Sequence, residues 1–416
     1  MKFSIDADRL WCRVEALAAI TDPERPWSRV AFSELHKQGR AWLTREMEQA
    51  GLSVGIDAGA NLVGRLPGLE NDRAPIVSGS HTDTVPRGGR FDGIAGVLVA
   101  LEVAQTIAES GEALRHPLEV IDFLAEEPNK YGFSCIGSRA MAGVLTPAQL
   151  AYAASDGTTT ADGIAAMGGD PSRLTGPLRD RGDVAGFFEL HIEQGVVLEE
   201  DGTDIGVVTG IVGITRYQLG VTGEAAHAGT TPMDRRKDAL VGAAILIQEA
   251  EARALRQDTK GAYLVATVGK LEVIPNGANV VPGSVEFAIE VRSSRDAEIE
   301  RFFEGYLASA AETCARRDLT LEAARVSDGA AIACDEAVQA AFATAAERAG
   351  ASHMRMPSGA GHDAAYMARI GPSGMIFVPC LKGRSHCPEE WADKSALAKG
   401  AQVLHDAIRI YDGQAN

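Results

Sequence analysis

Four short passages of this chain pair histidine with carboxylates just after apolar runs. Residues 79–97, GSHTDTVPRGGRFDGIAGV, carry His81, Asp83 and Asp92. Residues 125–128 hold the adjacent Glu126 and Glu127. Residues 189–195, ELHIEQG, supply His191 and Gln194, and residues 383–389, GRSHCPE, supply His386. A lone histidine at any one of these places is more often structural than a ligand, and an isolated HxD or Glu-Glu is common. Four such passages, each at the exit of an apolar strand, argue instead for convergence on one edge of a sheet. Imidazole and carboxylate donors suit zinc, manganese, cobalt or nickel. Their number accommodates two ions that share a bridging carboxylate. Adjacent glutamates permit a division of labour, one binding a cation and the other moving a proton. Asp83, two residues beyond His81, is placed to accept a hydrogen bond from the far ring nitrogen and so to fix its tautomer.

The elements that must position these residues alternate in type. Patterning predicts a helix over 31–50, strands over 62–66 and 76–80, a helix over 94–107, and strands over 118–124 and 187–192. That order implies an α/β catalytic domain, a mixed sheet flanked by helices. Residues 154–173 read as a weak helix plus loops. From 214 to 327 the rhythm changes to β-α-β-β-α-β, that of a ferredoxin-like unit. Within it, residues 285–292 alternate strictly, with Val285, Phe287, Ile289 and Val291 on one face and Glu286, Glu290 and Arg292 on the other. Residues 1–212 and 328–416 are therefore predicted to form one domain, with 213–327 inserted. A strand over 375–379 and a closing helix over 390–411 complete the first domain. Glycine-containing segments at 206–213 and 327–329 flank the insertion.

Composition narrows the function. Acidic residues number 57 and basic residues 40, a net charge of −17. That balance argues against nucleic acid or an anionic membrane as partner. No apolar run approaches the ~20 residues of a membrane-spanning helix. The start, MKFSIDADRLWCRVEAL, carries acidic residues and no apolar core, which predicts no secretory signal. Six scattered cysteines form no CxxC pair, and a reducing, cytoplasmic setting is expected.

Taken together, the motifs AFSELHKQGRAWL, GSHTDTVPRGGRFDG, AEEPN, GSRAMAG, ELHIEQG, HAGTTPMDRRKDA, PNGANVVPG, SGAGHDAAYM and SHCPEE, in this order, resemble the hydantoinase/carbamoylase amidases. These belong to the dinuclear metal-dependent amidohydrolases related to aminoacylases and zinc carboxypeptidases, and the likeness covers nearly the whole chain. The subfamily includes N-carbamoyl-L-amino acid hydrolases, β-ureidopropionases and allantoate amidohydrolases. The resemblance implies one metal site of His81, Asp92 and His191 and a second of Asp92, Glu127 and His386, with zinc the default. It implies Glu126 as general base and Asp83 as the orienter of His81. It implies a homodimer through the inserted domain, His227 reaching the partner's active site to stabilise the oxyanion, and Asn279 and Arg292 holding the substrate's polar end and carboxylate. Gln194, Gly359 and Gly361 match further substrate contacts. Because His227 and Arg292 lie outside the metal-bearing domain, the insertion is expected to close about hinges at 210–213 and 327–329. The loop that follows Glu127, Pro-Asn-Lys-Tyr-Gly, departs from the Gly and small residue associated with many members, so the pocket lining is expected to differ. The expected reaction is hydrolysis of the carbamoyl C–N bond of an N-carbamoyl-L-amino acid. Allantoate and N-carbamoyl-β-alanine are the nearest rival substrates. N-acyl amino acids, dipeptides and a non-catalytic metabolite-binding role follow.

Overall fold

Four strands form the buried heart of the computed structural model, which describes residues 5–414. They are Ile76–His81, Leu118–Phe123, Gly186–Ile192 and Ser373–Val378, and every residue in them is buried. Apolar residues such as Val77, Val120, Phe188 and Ile376 recur along them, as a strand covered on both faces requires, and the polar residues among them are buried too. Ile76–His81 pairs in parallel with Leu118–Phe123 and with Gly186–Ile192, which pairs in parallel with Ser373–Val378. Antiparallel strands complete the mixed sheet. Leu62–Leu66 joins beside Leu118–Phe123, with Ser53–Ile56 outside it, and Ile205–Ile211 joins beside Ser373–Val378. Parallel pairing sends the carboxyl ends of all four central strands to one edge, where α/β proteins build their sites.

The helix Ile94–Ser110 is apolar on nearly every side because it is enclosed, packing on the sheet and against helices Ala7–Ala18 and Lys394–Gln414. In the central strand, Gly79 faces Ile121 at a distance no side chain fits: a Cβ there would stand 2.0 Å from the Ile121 carbonyl oxygen. Gly79→Ala should therefore force backbone apart in the sheet and cost about 3 kcal/mol. A lowered thermal midpoint with unchanged refolded secondary structure is the expected readout.

Several predicted boundaries need correction. The first predicted helix begins at Glu34, where the Ser33 hydroxyl caps it by accepting the His36 N–H. The closing helix spans Lys394–Gln414, so Glu390 lies outside it. Residues 206–213, read as a linker for their glycines, are mostly the strand Ile205–Ile211. The expected hinge at 327–329 is likewise ladder-paired strand, with Ser327 opposite Arg216 and Gly329 opposite Ile214. Glycines at strand ends mimic loop composition, which misleads a reading by residue type. Helix Glu336–Ala349 had no forecast. Among the described residues no helix is long and apolar enough to cross a membrane. The first four residues of the acidic start lie outside them. All six cysteines are free.

The chain divides into two compact units. One runs to Thr209 and resumes over Cys334–Met356 and from His362 onward, and the other takes Gly210–Ala333 with Pro357–Gly361. Within the second unit the order is strand Gly213–Thr222, helix Ala239–Arg256, strands Leu264–Ile274 and Ser284–Ser293, helix Asp296–Arg316 and strand Thr320–Gly329. The sheet runs fourth-first-third-second, all antiparallel. Ser284–Ser293 alternates in burial as its sequence requires, and Val285, Phe287, Ile289 and Val291 pack with Leu246, Phe302 and Tyr306 in a separate core. Asp238 caps the first helix by accepting the N–H groups of Leu240 and Val241.

Candidate active site

The sheet edge collects the chemistry. His81 ends its strand, and His191 is the penultimate residue of Gly186–Ile192. Glu126 and Glu127 follow Phe123, Asp92 precedes the helix Ile94–Ser110, and His386 sits on the loop after Val378. Three non-glycine residues beside or among these take left-handed backbone: Ala125, Gln194 and His386, with φ of 53°, 59° and 57°. Such turns cost energy and concentrate where geometry serves function.

Two groups of donor atoms result, His81 with Asp92 and His191, and Asp92 with Glu127 and His386; within each group the atoms lie within 4.8 Å of one another. Asp92 belongs to both. Its Oδ1 lies 3.6 Å from His81 Nε2 and 3.3 Å from His191 Nε2. Its Oδ2 lies 3.3 Å from His386 Nε2, which stands 3.1 Å from Glu127 Oε1. The far nitrogens of both buried rings face carbonyls: His81 Nδ1 donates to Asp83 O at 3.0 Å and His191 Nδ1 to Ile192 O at 2.8 Å. A carbonyl only accepts, so each Nδ1 carries a hydrogen and each Nε2 is turned to the centre, that of His191 also accepting the Gly93 N–H at 3.0 Å. The residues therefore fit a pair of divalent ions in donor type, number and tautomer.

Asp83 does this differently from the expected way. Its carboxylate stands 3.8 Å from His81 Nδ1, beyond hydrogen-bond reach, and its carbonyl takes the ring hydrogen instead. The carboxylate is already committed, accepting the N–H groups of Glu126 and Glu127 at 3.2 and 3.1 Å. It thus anchors the loop that carries both glutamates.

The electrostatics also call for cations. Burial, reinforced by Glu127, pushes the Glu126 carboxyl well above its usual range, and burial lifts Glu127 as well. Burial opposes the charge on Asp92 too, but His191, His386 and His81 hold it well below that range. Hydrogen bonds to Asp92 and then Glu127 raise the His386 imidazolium to about 11. Burial lowers His191, yet Asp92 outweighs it and raises that ring to about 9. A buried excess of carboxylates that draws protons onto its histidines is a site suited to metal charge. Glu126 belongs to neither donor group. Its Oε2 is 3.6 Å from His81 Nε2, and its Oε1 accepts the Cys135 thiol at 3.2 Å.

Gln194 donates its amide to Asp92 Oδ2 at 2.5 Å. The loop after Glu127 turns on Asn129, whose amide donates to the carbonyls of Glu127 and Phe133, and it buries Tyr131 edge-on to Phe32. The remaining expected contacts belong to the second unit. His227 is exposed in a two-residue strand, Ala226–His227, paired with Val280–Val281, and its Nδ1 accepts the Gly229 N–H. Asn279, also exposed, accepts the Ala228 N–H through its carbonyl. Arg292 lies on the polar face of its strand as alternation requires. Its Nε donates to Glu290 at 2.7 Å and its Nη1 to the Gly359 carbonyl at 2.9 Å. Glu290 also holds Arg216. Gly361 closes that short segment.

Five further residues at the edge escaped the sequence reading. Glu189, wholly buried, accepts the Ser80 hydroxyl at 2.7 Å and the Ala364 N–H at 3.3 Å. His362 lies edge-on to His191, with ring centres 4.6 Å apart, and Asp363 accepts the Ser138 hydroxyl. Ser385 and Glu390 contact the Asp92 loop. Glu189 carried a readable signal, since it shares a strand face with His191 two residues on. The others depend on loop packing.

Residues 77–410 match the family described as peptidase family M20/M25/M40. The N-carbamoyl-L-amino acid amidohydrolase of Geobacillus stearothermophilus is 40% identical over 406 residues, covering 97% of this chain and 98% of that protein. The ureidoglycolate hydrolase of Oryza sativa subsp. japonica is 36% identical, covering 97% and 84%. The crystal structure of an amidase of the hydantoinase/carbamoylase family from Burkholderia multivorans superposes with a TM-score of 0.91 at 36% identity, covering 99% of both chains. The chain belongs to peptidase family M20/M25/M40 and, within it, to the hydantoinase/carbamoylase amidases.

Proposed function

We propose that this chain is a metal-dependent amidohydrolase that cleaves the carbamoyl C–N bond of N-carbamoyl-L-amino acids, releasing the amino acid, ammonia and carbon dioxide. The observation that carries the reading is the shared Asp92 between two donor groups, with the non-ligand Glu126 beside them. The 40% identity to an N-carbamoyl-L-amino acid amidohydrolase supports the substrate class.

His81, Asp92 and His191 would hold one divalent ion and Asp92, Glu127 and His386 the other. Zinc is the default for this donor set, with manganese, cobalt or nickel also suited. When bound, such ions supply Lewis acidity, which polarises a carbonyl and acidifies water towards neutral pH. Glu126 acts as general base. Burial and Glu127 push its carboxyl well above the usual carboxylate range, the direction that makes a carboxylate a stronger base. It takes a proton from the attacking water and passes it to the leaving nitrogen. The carbamic acid so formed decays to ammonia and carbon dioxide. Asp83 keeps Glu126 and Glu127 in place through their backbone amides. Arg292 offers a planar guanidinium to the substrate carboxylate, pre-set by Glu290. Asn279, Gln194, Gly359 and Gly361 join it, the second unit serves a homodimer, and through that dimer His227 serves the oxyanion in the partner subunit's active site.

Ammonia release from a small panel tests the reading. The chelated chain, reloaded with zinc or manganese, is expected to release ammonia from N-carbamoyl-L-amino acids and to be silent without metal. Ammonia from allantoate, ureidoglycolate or N-carbamoyl-β-alanine alone would keep the amidohydrolase and change its substrate. Amine without ammonia from an N-acetyl amino acid would make it an aminoacylase. Silence across the panel from the metal-loaded chain would overturn the proposal.

A further inference from the structure

The two donor groups are built very differently. His81 and His191 stand on central strands, and their side chains are 2% and 1% exposed. His386 stands on a loop, in left-handed backbone, with its side chain 45% exposed. That loop is closed at its base by the Leu381 N–H donating to the Trp391 carbonyl at 2.8 Å. Nothing in the sheet fixes His386 directly.

Beside the Lys382 N–H donated to Glu199 and the His386 contact with Glu127, a set of contacts ties its loop to the one bearing Asp92. Glu390, buried, accepts the Phe91 N–H at 2.6 Å and the Asp92 N–H at 3.1 Å through Oε1. Its Oε2 accepts the Ser385 hydroxyl at 2.9 Å, and that hydroxyl lies 2.6 Å from Asp92 Oδ2. Space for the carboxylate is reserved by Gly89, at φ +122°, where a Cβ would stand 2.3 Å from it. One residue on, the Arg90 guanidinium lies over the rings of Trp27 and Trp391, 4.8 and 4.7 Å from their centres. Ser385 precedes His386 and Glu390 follows it by four residues, so the two grip the ligand from both sides. Both engage the residue that the two ion positions share.

We propose that Glu390 and Ser385 are positioning residues that latch the His386 loop onto the Asp92 loop, and that this construction makes the two ion positions unequal. The position at His81, Asp92 and His191 fills first and holds. The position at Asp92, Glu127 and His386 fills last and exchanges first, because its half-exposed, loop-borne ligand depends on the latch. The inference rests on the dinuclear reading above. Supporting residues of this kind are typically worth about 10- to 100-fold in metal affinity.

The test is a zinc titration of the chelated full chain by calorimetry, repeated with cobalt(II) followed by its visible absorption. The wild-type chain should take two ions in two separable steps, and His386→Ala should remove the late step alone. Glu390→Gln and Ser385→Ala should each leave the early step unchanged and weaken the late step by about 10- to 100-fold. Ser385→Ala removes a single oxygen and keeps the test decisive should Glu390→Gln fail to fold. Equal affinity at both positions in the wild type would overturn the inference, as would latch variants that bind both ions like the wild type or weaken both equally. A wild-type chain that binds no ion would instead overturn the dinuclear reading, and this inference with it.

Discussion

Glu126→Gln is expected to abolish turnover while both ions stay bound. The side chain is buried, lies outside both donor groups and contacts Cys135 on one oxygen. Glutamine keeps its shape and cannot take a proton from the attacking water. General-base removal typically costs 10²- to 10⁴-fold, so kcat should fall by about a thousandfold, or about 4 kcal/mol of barrier. Metal content measured by atomic emission should remain at the wild-type value. Turnover within tenfold of the wild type would move the base elsewhere. Loss of metal alongside activity would make Glu126 a ligand instead.

Asp92→Asn should have the opposite signature, losing metal first. Asp92 alone is common to both donor groups, and each of its oxygens faces a different set of imidazoles. An asparagine presents one neutral oxygen and one NH₂, and the NH₂ has hydrogens but no free lone pair to offer a cation. Both positions should therefore empty together, where His386→Ala empties one. Zinc at 100 times its dissociation constant stabilises a folded chain by about 2.7 kcal/mol. Zinc should thus raise the thermal midpoint of the wild type and leave that of the variant unmoved. A variant that retains one tightly held ion would show that Asp92 does not bridge.

Much of this was legible in residue types. Ile76–His81, Leu118–Phe123 and Gly186–Ile192 are rich in apolar residues and buried along their length because both faces are covered. Against that background a histidine or carboxylate at the strand exit stands out, and parallel pairing brings such exits together. The alternation of Ser284–Ser293 likewise places Arg292 on the polar face before any contact is known. The extent of helices and strands follows from periodicity, with errors where glycine at a strand end reads as a loop.

Residue types could not say which atom of Asp83 meets His81, because the backbone turn after the strand decides whether carbonyl or carboxylate arrives. Nor could they place Glu390, which patterning assigned to a helix. It reaches Phe91 across 299 residues of chain, and its partners are backbone N–H groups and a serine hydroxyl with no signature of their own. Periodicity records which face of an element is buried. Contacts between loops depend on how separate elements close together, and only the folded chain holds that information.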